Sequence, residues 1–440
     1  MMTAVRTDRW GVPLQAGGDA GVSLFDEAVE GLLSLHGEPV AAAEAAVAAD
    51  DDLVLGHILR AYFSLYRTSA AGVHAAEELL APFDGAGGAL SEREILHLRA
   101  ARAWAAGDWG EAAHGLERAL LHDSQDLLAL KVAQDLYFFL GKTRDLQSVV
   151  TRVLRAWPAQ KRGWGYVQGM YAFGLEENGD YAQAELFARA ALHHNPRDVW
   201  ANHALAHVFE MEGRIDEGIR FLTESVPHWS SSFFAVHTWW HQALYHLERA
   251  EFDAALSLYD GPIRGVRSLE WVDLIDAASL LWRLSLYGVD VRDRSVTLAA
   301  DLAQVIDAPT YIFNDWHAVM AFGLAGRVDL DEQLLSGNRR KAVGTNRTAA
   351  AQAGVALLEG FSSFAAGRFN RAIDLLTDVR SCAHVVGGSN AQRDVVDLTL
   401  IAAATRAGEH GMARQLVAER VTRRPGTAAA GGRLLAGNAS

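Results

Sequence analysis

A turn residue returns along this chain at an almost even interval. Glycines stand at Gly37, Gly72, Gly107, Gly141, Gly179 and Gly213, an alanine follows at Ala250, and glycines resume at Gly288, Gly326, Gly367 and Gly408. The spacings are 35, 35, 34, 38, 34, 37, 38, 38, 41 and 41 residues. A period of that length holds a helix, a tight turn and a second helix. Such a unit cannot bury its own apolar face and must stack on another like it. The 440 residues exceed one ordinary compact core, and repetition is the way such a chain grows. Half the residues are hydrophobic and only nine are proline, which favours helices.

Two segments carry the repeat most plainly. Gly179-Asp180-Tyr181-Ala182-Gln183-Ala184 opens a stretch that ends at His194-Asn195-Pro196, and Gly213-Arg214-Ile215-Asp216-Glu217-Gly218 opens the next. The glycine turns the chain, an aromatic or aliphatic residue packs into the hairpin, and a small residue lets the helices approach. These residues resemble the tetratricopeptide repeat. The expected fold is therefore all-α, a tetratricopeptide-repeat α-solenoid in which stacked helix hairpins form a right-handed superhelix. It would be a single solenoid over residues 21–423, with a frayed segment at 1–20 and a flexible tail at 424–440.

A formal charge of −14 argues against a nucleic-acid partner, because phosphate neutralisation needs clustered Lys and Arg. It also argues against an acidic membrane surface. No apolar run approaches the roughly 18 residues of a membrane span and no leader pattern opens the sequence, so a cytoplasmic location is expected. The lone Cys382 excludes an internal disulfide and a CxxC metal motif. A homo-oligomer is compatible with all of this.

In tetratricopeptide hairpins the first helix lines a concave groove. With Gly213 at position 15 of its repeat, His203, His207 and Glu210 fall at positions 5, 9 and 12, one stripe of one helix. The next first helix carries His237-Thr238-Trp239-Trp240-His241, again two histidines one turn apart. Glu176 and Tyr166 sit on the preceding first helix, and Asn314-Asp315-Trp316-His317 comes two repeats later. Trp240 and its neighbours would supply apolar walls. The segment Gly387-Gly388-Ser389-Asn390-Ala391-Gln392-Arg393-Asp394 offers glycines, a helix cap and a cation, the parts of an anion clamp.

The same residues resemble the tetratricopeptide-repeat protein 38 family along the whole chain. The likeness rests on Leu127-Ala129-Leu130-Lys131, Tyr171-Ala172-Phe173-Gly174-Leu175-Glu176, His203-x-x-Ala206-His207-x-x-Glu210-Met211, His237-x-x-Trp240-His241, Phe313-Asn314-Asp315-x-His317, and the segment from Gly387 to Val395. It implies the solenoid fold and ties the groove motifs together, but it names no reaction.

Two functions fit. One is a small-molecule enzyme, of hydrolase or lyase type, using acid-base or metal-assisted chemistry on a ligand in the groove. Its catalytic candidates are His203, His207, Glu210, His237, His241, Glu176, Asp315 and His317. Its substrate-binding candidates are Tyr166, Trp240, Asn314, Ser389, Asn390, Arg393 and Asp394. In the metal version His203, His207, His237 and His241 are the ligands, and zinc or iron suits imidazole better than magnesium does. The spacing His-Ala-Leu-Ala-His lacks the glutamate of the HExxH proteases. The alternative is a non-catalytic scaffold holding a peptide or protein in the groove.

Overall fold

A computed structural model describes residues 4–85, 90–308 and 310–436, and helices account for about three quarters of them. The hairpins follow the glycine interval. Trp164–Glu177 pairs with Tyr181–His194 and Ala235–Glu248 with Phe252–Leu258, while Val199–Met211 and Ile215–Trp229 lie on either side of the turn at Gly213. Trp271–Leu286 then pairs with Arg292–Val305, and Asn390–Arg406 with His410–Arg423. The turn residues are left-handed: Gly179 has φ 84°, Gly213 69°, Gly288 83°, Gly367 73° and Gly408 83°. That conformation crowds a Cβ, so glycine is the residue of choice. Ala250 takes the same place at φ 59° with its Cβ in the way.

Gly72 does not fit the expected register. The turn there is made by Thr68 at φ 48°, and Ser69 caps the helix Ala70–Leu80 by accepting from the Gly72 N–H at 3.1 Å. Gly72 lies inside that helix, where a Cβ would come within 2.2 Å of the Ser64 carbonyl oxygen. It is a glycine of close approach and not of the turn.

The chain, expected to be one solenoid over 21–423, divides into two compact units. One comprises Met1–Leu205 with His228–Phe234, the other Ala206–Pro227 with Ala235–Ser440. Of the segment expected to be frayed, residues 1–3 lie outside the described part and residues 4–16 form a hairpin. Ala4–Thr7 and Pro13–Ala16 pair as antiparallel strands, with Val5 opposite Gln15 and Arg6 opposite Leu14. Trp10, Val12, Leu14 and Ala16 are buried. The segment is held because Asp8 accepts from the Trp10 and Val12 amides and pairs at 3.0 Å with buried Arg93, which also grips Asp126 at 2.7 Å. A hairpin tied into a buried ion-pair network has too little freedom to fray.

The second unit is filled by large side chains from successive first helices. Trp240, Trp282 and Trp316 are fully buried, and Trp282 donates its indole N–H to Thr399 Oγ1 at 2.8 Å. The chain beyond Arg423 is also ordered through residue 436, contrary to the expected flexible tail. Arg424 is buried, and the helix Ala428–Ala436 buries Ala430 and Leu434. Residues 437–440 lie outside the described part. No helix among the described residues is long and apolar enough to cross a membrane.

Candidate metal centre

Helical periodicity positions the histidines. His207 and Glu210 lie three residues apart on Val199–Met211, and His237 and His241 four apart on Ala235–Glu248. Each pair therefore occupies one face. The repeat frame set these side chains toward an open groove. The structure instead buries them: relative exposure is 0% for His207, 1% for Glu210, 5% for His237 and 0% for His241. Their face meets neighbouring first helices and is packed over.

Within the second unit one ring nitrogen each from His207, His237 and His241 lies within 4.8 Å of the others. The rings of His207 and His241 are 4.5 Å apart between centroids, and those of His237 and His241 4.8 Å. The orientation is set from behind. Nδ1 of His237 is 2.8 Å from Asp276 Oδ2, and Nδ1 of His241 is 3.0 Å from Glu210 Oε2. The two Nε2 atoms then face each other at 3.2 Å. Trp240 stacks on His237 at 5.2 Å and 21°, which fixes that ring laterally.

The protons of this row are constrained. Three N···O or N···N contacts need three protons, whereas two neutral imidazoles carry two. Burial, reinforced by the charges of His207, His237, Arg424 and Arg283, pushes the His241 pKa well below its usual value. Burial also raises the carboxyl of Asp276, against the opposing pull of His237. Neutral imidazole is the form that binds a transition metal.

Glu210 is held on its other side by Arg424, whose second nitrogen lies 2.7 Å from Asp394 Oδ2. Asp394 accepts from Arg420 at 2.9 and 2.7 Å, and Arg420 pairs in turn with Glu248. Burial would raise the Asp394 carboxyl, but Arg420 and Arg424 hold it well below the carboxylate range. Arg283 differs from these arginines. It is buried over the Trp240 ring, and its hydrogen bonds go to neutral acceptors, Ser279 and the carbonyls of Ala391 and Gln392. Burial brings its pKa down to about 10.

The remaining candidates lie elsewhere. His203 stands one turn before His207 on the same helix, at the end that belongs to the first unit, packed on Phe173 and Trp200. Glu176 is buried in that unit, and Tyr166 donates to Glu30 at 2.7 Å. Asn314, Asp315 and His317 are all buried, but the side chains of the latter two bond away from the histidine row. Asp315 accepts from Asn338 Nδ2 at 2.8 Å, and His317 Nδ1 donates to the Phe313 carbonyl at 2.8 Å. Burial moves the Asp315 pKa up to about 7 and that of His317 down to about 3.

The anion clamp expected at Gly387 to Asp394 is occupied by the chain itself. Ser389 and Gln392 form a reciprocal capping box, Arg393 bonds the Gly388 carbonyl and Asn390 Oδ1, and Asp394 faces the two arginines. Asp276, Arg283, Arg420 and Arg424 were missed. For Asp276 a signal existed: an acid inside the apolar run Leu274-Ile275-Asp276-Ala277-Ala278, 39 residues after His237 and so one repeat further on. A surface depression among the described residues, lined by Arg6, Thr7, Asp19, Val22, Ser23 and Asp26, contains none of these groups. The convergence of side chains defines the site better than concavity does.

The hairpins define the class: an all-α protein built of repeated helix hairpins. No family model matches the chain. Among solved structures it is similar to the crystal structure of the P58(IPK) TPR domain, at 12% identity, over 88% of this chain and 98% of that one, with a TM-score of 0.21.

Proposed function

We propose that this chain is a metalloprotein whose centre is built, within the second unit, on His207, His237 and His241. The observation that carries the reading is the pair of buried carboxylates behind the rings. Asp276 and Glu210 each take an Nδ1, leaving Nε2 of His237 and His241 turned toward each other at 3.2 Å. A carboxylate on the far nitrogen fixes tautomer and orientation in metal-bound histidines. Without an ion, the two Nε2 atoms must share a single proton.

The donor set is all nitrogen, which favours zinc or iron over magnesium or calcium. A bound ion would supply a Lewis acid and an activated water. With three protein ligands a position stays open for a small-molecule substrate, which makes hydrolysis or elimination the reaction type. Placement in the tetratricopeptide-repeat protein 38 family and a cytoplasmic location belong to the same reading.

Elemental analysis of tag-free protein, grown with added zinc or iron, tests it. The expected result is close to one ion per chain, lost in His207→Ala and His241→Ala while helical circular dichroism is kept. Hydrolytic turnover of small esters or phosphate esters should be lost on chelation and restored by the metal. Wild-type protein without stoichiometric metal would sink the proposal and leave the row as a buried hydrogen-bond ladder.

A further inference from the structure

We infer that Arg424 is a positioning residue for this centre, and that the C-terminal arm carrying it is part of the site. The inference rests on the metal reading and extends it by more than 200 residues of chain, since Arg424 stands 214 positions after Glu210.

Glu210 serves two partners with its two oxygens. Oε2 accepts from His241 Nδ1 at 3.0 Å, and Oε1 pairs with Arg424. Rotation of that carboxylate is therefore governed from the arm. Arg424 is itself fixed, because its other terminal nitrogen holds Asp394 at 2.7 Å. Asp394 accepts a two-nitrogen grip from Arg420, and Arg420 reaches Glu248. Glu248 lies on the same helix as His241. The ion pairs close a ring: Glu210, His241 and its helix, Glu248, Arg420, Asp394, Arg424 and back to Glu210. All of these residues are at least nine-tenths buried.

The backbone is shaped to the same end. Gly213 lies three residues beyond Glu210, and a Cβ there would be 1.7 Å from the Pro425 carbonyl oxygen and 2.9 Å from the Gly426 nitrogen. Only the absence of a side chain lets the arm pass this close. Arg424 is thus delivered to Glu210 by direct backbone packing.

The chemical consequence concerns orientation. Without the guanidinium on Oε1 the Glu210 carboxylate can rotate, Oε2 leaves Nδ1 of His241, and the ring loses its orienting partner. Loss of such an outer contact weakens metal binding by roughly 10 to 100-fold. Lysine keeps the charge but has one nitrogen, and it cannot span Glu210 and Asp394 together as the guanidinium fork does.

The test uses the full chain and cobalt(II), read by competition with a chromophoric chelator and by the visible absorption of the bound ion. Arg424→Gln should bind cobalt about 10 to 100-fold more weakly than wild type, with altered absorption bands and unchanged helical circular dichroism. Arg424→Lys should fall between the two. Arg423→Gln, which removes a half-exposed partner of Asp397, should match wild type. If wild type binds no cobalt, the metal reading fails and this inference with it. If wild type binds and Arg424→Gln stays within about twofold with the same spectrum, the Arg424 inference alone is overturned. Should Arg424→Gln not fold, Arg424→Lys decides: wild-type affinity and spectrum overturn the inference, intermediate values support it.

Discussion

Two glycines at the same place in the repeat should respond very differently to a single methyl group. Gly213 and Gly367 both turn a hairpin in the left-handed region, at φ 69° and 73°. A Cβ on Gly367 meets nothing within 4 Å, so Gly367→Ala bears only the conformational penalty, about 1 kcal/mol. A Cβ on Gly213 would lie 1.7 Å from the Pro425 oxygen and 2.3 Å from its carbon. Ordinary contact needs about twice that distance, and both groups are backbone, so neither yields by changing rotamer. Overpacking adds about 1–3 kcal/mol to the same conformational penalty, for a total of about 2–4 kcal/mol. The cheaper escape is for the arm to lift off, which exposes Arg424 and Leu434. Urea denaturation of both variants, with limited trypsin digestion in native buffer, separates the outcomes. Gly213→Ala should be cut rapidly at Arg423 and Arg433, and Gly367→Ala should not. Equal stabilities with the arm protected in both would refute the close-approach argument.

Other consequences are as direct. Ala250→Gly should stabilise the protein by about 1 kcal/mol, because it removes a side chain from a left-handed turn at φ 59°, seen as a raised melting temperature. Trp282→Phe should cost about 1–3 kcal/mol in urea denaturation, since it deletes the indole bond to Thr399 and leaves Oγ1 with a void beside it. Asp315 predicts a pH effect. Burial raises its pKa from 3.8 to about 7, so the folded state keeps a proton that the unfolded chain gives up. Stability should therefore fall as pH rises between about 4 and 7 and level off above, by an amount on the order of 4 kcal/mol from this group. Asp315→Asn should remove that slope and be the more stable form at pH 8. Denaturation at pH 5 and pH 8 checks it, and an unchanged slope would show that Asp315 titrates normally.

The parts of this protein legible in its sequence are those set by local stereochemistry. The left-handed turn nearly demands glycine, and the turns at Gly107, Gly141, Gly179, Gly213, Gly288, Gly326, Gly367 and Gly408 were read directly. Gly72 misled because a glycine needed for close helix approach looks the same in sequence as one needed for a turn. That His203 and His207, and likewise His237 and His241, stand one turn apart on one helix followed from helical period alone.

Tertiary structure decided the rest. It showed that the histidine face is buried, that Asp315 and His317 bond elsewhere, and that Arg393 is consumed by its own loop. It also brought Asp276, Arg420 and Arg424 behind the rings, through contacts 39, 172 and 214 residues apart in the chain. Helix period and turn geometry act over a few residues and leave a mark on every repeat. A buried charge is placed by whichever distant segment compensates it, and composition at either end carries no trace of that choice. The sequence alone therefore determined the repeating hairpin and the histidine stripe, and the packing of the C-terminal arm on Gly213 determined which charges surround it.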